Sequence, residues 1–337
     1  MSTLATPTFN VATASIASAI PSSILATMTA IPTAVPSGES YANSYSLFGM
    51  VPNRDANLAG VILFAIVWGF QTILSAWYFQ WWWLVTSFIA CGLETGGYVG
   101  RYLASFTDHD SMNDFLVQII CLTLGPAFLT GGLYYQLAKV VTIYGEQFSV
   151  LKPMHYSALF ITCDLISIVL QAIGGGMAAV AAQNGTDASS GTHIMLAGIV
   201  FQVASMLTFM ILFALFLFRV WNGHRQGKSE FKAQFAHLQQ RPVFKLFVIC
   251  LWWCTICVFI RCVYRVAELS EGWNGYLIVT ERYFLVLDGL FVFLGTLSLT
   301  IIHPGFALGR GVIPVDGLHT KKYVAQNSQR LEGNPDF

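Results

Sequence analysis

Seven stretches of the chain stay apolar for long enough to cross roughly 30 Å of hydrocarbon as helices. They are residues 57–79, 81–103, 114–137, 154–180, 194–219, 246–266 and 279–302. The pattern predicts an all-α fold, an integral membrane bundle of seven transmembrane helices. The first two stretches almost abut, and the aromatic run from Tyr78 to Trp83 between them suits a tight turn at the membrane surface, where such rings collect. Gly125-Pro126 predicts a kink in the third helix. Gly96-Gly97 predicts close packing on the second helix, and Gly174-Gly175-Gly176 a local hinge near the external end of the fourth.

Composition agrees with this class: 55% of residues are apolar, 10% are charged, and the mean hydropathy is +0.62. The formal net charge of zero leaves no basic face for phosphates, so a nucleic-acid partner is not expected. Residues 1–50, rich in Ser, Thr, Ala and Pro with Glu39 as their one charge, read as a disordered extracellular tail. They lack the basic start and continuous apolar core of a cleavable signal peptide. Residues 51–306 form the expected transmembrane domain and 307–337 a cytoplasmic tail.

Orientation follows from the basic residues. With the N-terminus outside, twelve of the seventeen Lys and Arg fall on the cytoplasmic side, Lys139 and Lys152 among them, and the C-terminus lies inside. The same topology puts the sequon Asn184-Gly185-Thr186 in an external loop, making Asn184 a candidate glycosylation site.

Nine charges interrupt the apolar segments or sit at their ends: Glu94, Arg101, Asp164, Arg261, Arg265, Glu268, Glu281, Arg282 and Asp288. A charge at the bilayer centre costs about 2.5–3.5 kcal/mol on the most lenient scale, so each needs a partner, water or a task. Helical spacing gathers them into stripes. Glu94 and Arg101 lie two turns apart, Arg261, Arg265 and Glu268 follow i, i+4, i+7, and Glu281 and Asp288 are again seven apart.

Two readings stay open. The stripes are ion pairs that fix how the second, sixth and seventh helices pack, or a polar vestibule in the outer half of the membrane that takes a lipid headgroup. Asp164 and Asp288 differ from the rest, because neither has a basic neighbour on its own helix and both lie near mid-membrane. Asp164 shares a face with Ser167 and Gln171. A carboxylate at such a depth is either protonated and hydrogen-bonded or a receptor for a substrate ammonium.

Enzyme chemistry finds little support. The seven histidines sit in loops, tails or at helix ends, no metal-ligand spacing occurs in a helix, and neither a G-x-S-x-G elbow nor a nucleotide-binding loop is present. No cofactor or metal is expected. All seven cysteines fall within helices, which leaves no extracellular disulfide framework, and Cys254-x-x-Cys257 reads as core packing. The seventh helix has no lysine for a retinal Schiff base, although a receptor of another kind remains open.

Several strings, taken together and in order, carry a resemblance. They are Glu94-x-x-Gly97-Tyr98-x-x-Arg101; Gln118 with Gly125-Pro126-Ala127 and Tyr134 or Tyr135; and Phe160-x-x-x-Asp164-x-x-Ser167-x-x-x-Gln171-x-x-Gly174-Gly175-Gly176. Gly198 and Gln202 follow, then Arg261-x-x-Tyr264-Arg265-x-x-Glu268-x-x-x-Gly272-x-x-Gly275, and finally Glu281, Tyr283, Asp288 and His303-Pro304-Gly305. From about residue 45 to 306 the chain resembles the fungal lipid-translocating exporters. The resemblance implies a plasma-membrane protein that moves an amphipathic lipid, or confers resistance to a toxic one, with membrane lipids and a cationic amphiphile such as a sphingoid base as partners. A seven-helix lipid sensor, or a regulator of membrane lipid asymmetry, is the alternative. Cationic substrates suit Glu94, Asp164 and Asp288, whereas a porphyrin would call on Arg261 and Arg265. Oligomeric state is not legible.

Overall fold

The computed structural model describes residues 52–106, 112–184, 186–226, 235–271 and 276–309. The expected tail at 1–50, and all but the first three residues of the one at 307–337, lie outside that set. Among the described residues the fold is entirely helical. Six helices are long and apolar enough to cross a membrane, which makes the chain a multi-pass membrane protein.

Helix α1 is Arg54–Trp77, opened by Asn53, whose side chain accepts from the Ala56 amide at 3.1 Å. Tyr78, Phe79 and Gln80 reverse the chain, with Phe79 at a φ of 55°, a left-handed conformation that bulky residues seldom adopt. Helix α2, Trp81–Ala104, is as long as α1, but small residues, hydroxyls, Glu94 and Arg101 dilute its apolar content and it is not one of the six. Helix α3, Met112–Tyr144, runs on through Pro126 to Gly145, whose φ of 127° turns the chain into the short 3-10 helix Glu146–Phe148.

Helices α4, Pro153–Gln183, and α5, Ser189–Arg225, form the next antiparallel pair. Asp187 helps start α5 by accepting from the Ser189 amide at 2.9 Å and hydroxyl at 2.6 Å. Helix α6, Pro242–Ser270, begins on a proline, which has no N–H to strand in the first turn. Helix α7 starts as Glu281–Tyr283, widens into a π-helical stretch at Phe284–Leu290 and continues as Phe291–Ile301. His303 then caps a last short helix, Pro304–Leu308, its Nδ1 accepting from the Gly305 amide at 3.0 Å.

Helix α3 is the centre of the bundle. Half of its apolar span is buried, against 22% for α1, and Leu122, Leu129, Leu133, Tyr134, Leu137, Val140 and Val141 are all inside. The outer helices turn apolar faces outward, as Ile62, Phe70, Ile73 and Trp77 do on α1. Such a surface is stable only in a solvent as apolar as itself.

Two small-residue seams bring backbones together. A Cβ on Gly97 would overlap Leu122 of α3, in keeping with the predicted close packing. The predicted hinge at Gly174–Gly176 is not found. Helix α4 runs unbroken through it, and a Cβ on Gly174 would strike the Met195 backbone and lie 2.7 Å from the Gly191 carbonyl oxygen. Gly191 reciprocates, at 2.7 Å from the Gly174 carbonyl oxygen. Here the absent side chain serves contact between α4 and α5 rather than flexibility.

Lys139 needs a second correction. Counted by its charge among cytoplasmic loop residues, it lies inside α3, only 1% exposed, because the helix continues to Tyr144.

Candidate functional site

The charged residues gather at one end of the bundle, where α1, α3, α5 and α7 begin and α2, α4 and α6 finish. Two groups form there. In the first, Arg101 of α2 reaches Glu281 of α7, Nη2 to Oε1 at 2.9 Å, and its Nε donates to the Asn57 side-chain oxygen of α1 at 3.0 Å. Asn57 donates in turn to Glu281 Oε1 at 2.8 Å and to the Asn53 carbonyl at 2.7 Å, and the Asn53 amide donates to Glu281 Oε2 at 2.8 Å. The guanidinium also lies 4.1 Å above the Phe284 ring. One cation, one anion and a fully buried amide thus tie three helices into a neutral clasp.

The second group is deeper. Asp288 of α7 is wholly buried, with Oδ1 at 3.1 Å from Arg261 Nε and 3.8 Å from Arg265 Nε. Arg265 is held more tightly by Glu268, at 2.6 Å, and Glu268 also accepts from the Tyr264 hydroxyl at 3.2 Å. Asp288, with no basic residue at helical spacing on its own helix, therefore takes two arginines from α6. The spacing of Glu281 and Asp288 predicts one stripe, but they face different neighbours because the π-helical turns between them are wider than α-turns and swing Asp288 toward α6.

Glu94 completes this group and lies farthest from its cations, although the oxygens of Asp288 likewise accept no hydrogen bond. It is 2% exposed, its nearest cation atom is Arg261 Nη2 at 3.9 Å, and neither carboxylate oxygen accepts a hydrogen bond. The reason lies in α3. Pro126 has no N–H to give the Leu122 carbonyl four residues earlier, and Arg261 Nη2 donates to that carbonyl instead. The helix-breaking residue frees an acceptor, and the acceptor draws Arg261 away from Glu94. Gly125 makes the room: a Cβ there would lie 3.0 Å from Glu94 Oε1. The deep group holds three carboxylates, Glu94, Glu268 and Asp288, against two guanidiniums, Arg261 and Arg265. With all five ionised it carries one excess negative charge.

Asp164 stands elsewhere, on α4 against α3. Its Oδ2 accepts from the Thr130 hydroxyl at 2.7 Å and the Tyr134 hydroxyl at 3.0 Å, while Oδ1 is buried without a hydrogen bond. Tyr134, which holds Asp164, and Cys262, which follows Arg261 on α6, belong to one buried core. Gln171 donates to the Ser167 hydroxyl at 2.9 Å and to Gln202 Oε1 of α5 at 3.1 Å, and forms part of the α4–α5 seam. Arg282 faces outward, and Asn184 is exposed at the charged end just beyond α4.

A further polar layer lies at the opposite end, and of its members only Lys139 shows in the charge pattern. Lys139 donates to Gln80 Oε1 at 2.7 Å and lies 5.0 Å from the Tyr135 ring centre. Ser75 pairs with His303 Nε2 at 3.0 Å, and Gln71 joins the Trp83 indole and Thr300, both at 3.0 Å. A glutamine or serine inside an apolar run scarcely alters hydropathy, which is why these residues and Asn57 escape a reading based on charge. Among the described residues no three His, Cys, Asp or Glu side chains are grouped to hold a metal.

Residues 87–311 match a family model described as RTA1 like protein. The chain belongs to the RTA1-like family. The matched segment of this RTA1-like chain runs from within α2 past the final short helix and so contains every charge of the deep group, whereas Asn57 lies before it. The sphingoid long-chain base transporter RSB1 of Saccharomyces cerevisiae, strain Lalvin EC1118, is 39% identical over 87% of this chain and 83% of its own length. More distant RTA1-like relatives from the same species are Protein RTA1, 26% identical over 72% of this chain and 70% of that protein, and Protein RTM1, 23% identical over 60% and 61%. No solved structure matches the chain.

Proposed function

We propose that this protein moves a cationic single-chain amphiphile, a sphingoid long-chain base or a molecule of similar form, between the leaflets of the plasma membrane. Its ammonium is received beside Glu94. The carrying observation is the deep group's charge balance: three buried carboxylates face two guanidiniums, and Glu94 accepts no hydrogen bond. One monovalent cation would neutralise the group and give Glu94 the donors it lacks. Arg261, Arg265, Glu268 and Asp288 hold that carboxylate in position, Arg101 and Glu281 brace its helices, and Asp164 offers a second buried carboxyl nearby. Gln171 belongs to the wall behind Asp164. The name of the relative that is 39% identical supports the substrate class.

In this reading all seven long helices span the bilayer, α2 surviving its polar residues because they face inward. The domain is 51–306, between an extracellular tail at 1–50 and a cytoplasmic one at 307–337. The charged end is extracellular, since Lys152, Arg219, Arg225, Arg241 and Lys245 cluster at the opposite end. Asn184 then becomes open to glycosylation. The protein acts as a translocator, not an enzyme, and leaves its substrate chemically unchanged.

The test is reconstitution into vesicles loaded with a fluorescent sphingoid base. Wild-type protein is expected to speed leaflet exchange, and Glu94→Gln to reduce it at least tenfold while keeping its gel-filtration profile. Wild-type exchange by Glu94→Gln would overturn the assignment of the ammonium site. Ligand-dependent signalling in cells without any exchange would favour a sensor, and recovery of an altered lipid would favour an enzyme.

A further inference from the structure

The charge balance that favours a cation beside Glu94 also limits what happens once the cation leaves. With the site empty and all five groups ionised, the deep group keeps one excess negative charge at positions no more than partly accessible to water. Glu268 is held at 2.6 Å by Arg265, and Asp288 has arginine nitrogens at 3.1 and 3.8 Å. Glu94 has only Arg261 Nη2 at 3.9 Å, a group already donating to the Leu122 carbonyl. The oxygens of Asp288 and Glu94 alike are buried and accept no hydrogen bond, so distance to the arginines decides, and the excess resides on Glu94. An ionised carboxylate so placed is costly, and a proton is the smallest species that removes the cost.

We propose that Glu94 is a one-for-one exchange site, occupied by either a proton or the substrate's ammonium and never vacant in its charged form. This rests on the reading of Glu94 as the ammonium site and adds the coupling. On binding, the O–H bond of the Glu94 carboxyl breaks, its proton leaves to water, and the carboxylate pairs with the incoming cation. On release the carboxylate takes one proton back. The group is neutral in both occupied states, so neither state carries a buried excess charge through the protein's conformational change.

Other ionisable groups around Glu94 leave it as the exchanging one. Helix α6 contributes Arg261 and Arg265, both permanently charged, and α7 contributes Asp288, paired with both. Helix α2 itself brings Cys91 and Tyr98, and α3 brings Cys121; a thiol or a phenol ordinarily keeps its proton at neutral pH. Lys139 and His303 belong to the layer at the far end of the bundle.

The experiment uses detergent-purified full-length protein and two probes, dodecylamine and dodecyltrimethylammonium. The second has no titratable proton, so any proton released must come from the protein. Calorimetric titrations in two buffers of different ionisation enthalpy count protons released on binding. The expected result is one proton per ligand for both probes on the acidic side of the Glu94 transition, with affinity falling about tenfold for each unit by which the pH is lowered there. Glu94→Gln should release none and lose the pH dependence. Binding of both probes without proton release from pH 5 to 8 would overturn the exchange while leaving the ammonium site intact. Absence of binding by either probe to a protein with native thermal stability would overturn the ammonium site and the exchange with it. Proton release retained in Glu94→Gln would move the exchange to Asp164, which Asp164→Asn would then abolish, and would refute the role given to Glu94.

Discussion

Replacing Pro126 by alanine separates two roles of that residue, as an interruption of α3 and as the reason Arg261 has a carbonyl to bind. Alanine restores an N–H four residues after Leu122, and the helical hydrogen bond it can form is worth about 1 kcal/mol net. The bond from Arg261 to the same carbonyl is assisted by charge and is worth about 1.5–3 kcal/mol. Leu122 is fully buried, so water does not compete for its carbonyl. A carbonyl oxygen has two lone pairs, and both donors can share it with poorer geometry for each. Fold stability should then change by no more than about 1 kcal/mol in either direction, while Arg261 loses roughly 1 kcal/mol of its hold on α3 and moves toward Glu94. An Arg261 nearer Glu94 leaves the net charge of the group unchanged but pairs the carboxylate that the substrate cation would otherwise meet, and so competes with it. The expected outcome is near-normal thermal stability in detergent with a roughly fivefold fall in leaflet exchange, since 1.4 kcal/mol corresponds to tenfold. Pro126→Gly, which also restores the N–H, should behave alike. Wild-type exchange by both variants would refute the link from Pro126 through Leu122 to Arg261.

Asn57→Leu removes the amide that joins Arg101 to Glu281, and two charge-assisted hydrogen bonds go with it. Because the direct ion pair survives, the loss should be about 2–4 kcal/mol, visible as a lowered melting temperature by fluorescence size-exclusion. Gly174→Leu drives a side chain into the backbone of α5, and a drop in melting temperature equivalent to at least about 2 kcal/mol is expected; an unchanged value would mean the seam is looser than described. Asn184→Gln should abolish an endoglycosidase-sensitive shift in gel mobility. A wild-type protein with no such shift when expressed in a fungal host would count against the charged end being extracellular.

Six of the long helices are legible because each is an apolar run long enough to measure, and the boundary between α1 and α2 is marked by its aromatic residues. The charged residues were legible for the converse reason, as isolated costs inside those runs. Their partners were not. Asp288 shows no cation at helical spacing on α7 because its cations are on α6, and a π-helical stretch reads in sequence like any other apolar segment. Asn57, Gln71 and Ser75 lie in a helix whose hydropathy they barely change. Lys139 reads as a loop residue because its charge closes the third apolar stretch at residue 137, although Val140 and Val141 continue the apolar pattern beyond it. Gly174–Gly176 reads as a hinge in sequence because three glycines weaken a helix, and the presence of α5 alongside makes it a seam instead.

Lys139 bears on the path as well as on the packing. A lysine fixed between α2 and α3, with an amide oxygen and an aromatic ring as its neighbours, places a basic amine rather than a carboxylate across the far end of the bundle. An ammonium passing between α2 and α3 at that end would meet it. The headgroup's crossing would then follow the lipid-facing side of the helices with its chain trailing in the bilayer, and the protein could serve a cationic lipid without opening a conduit for sodium or potassium.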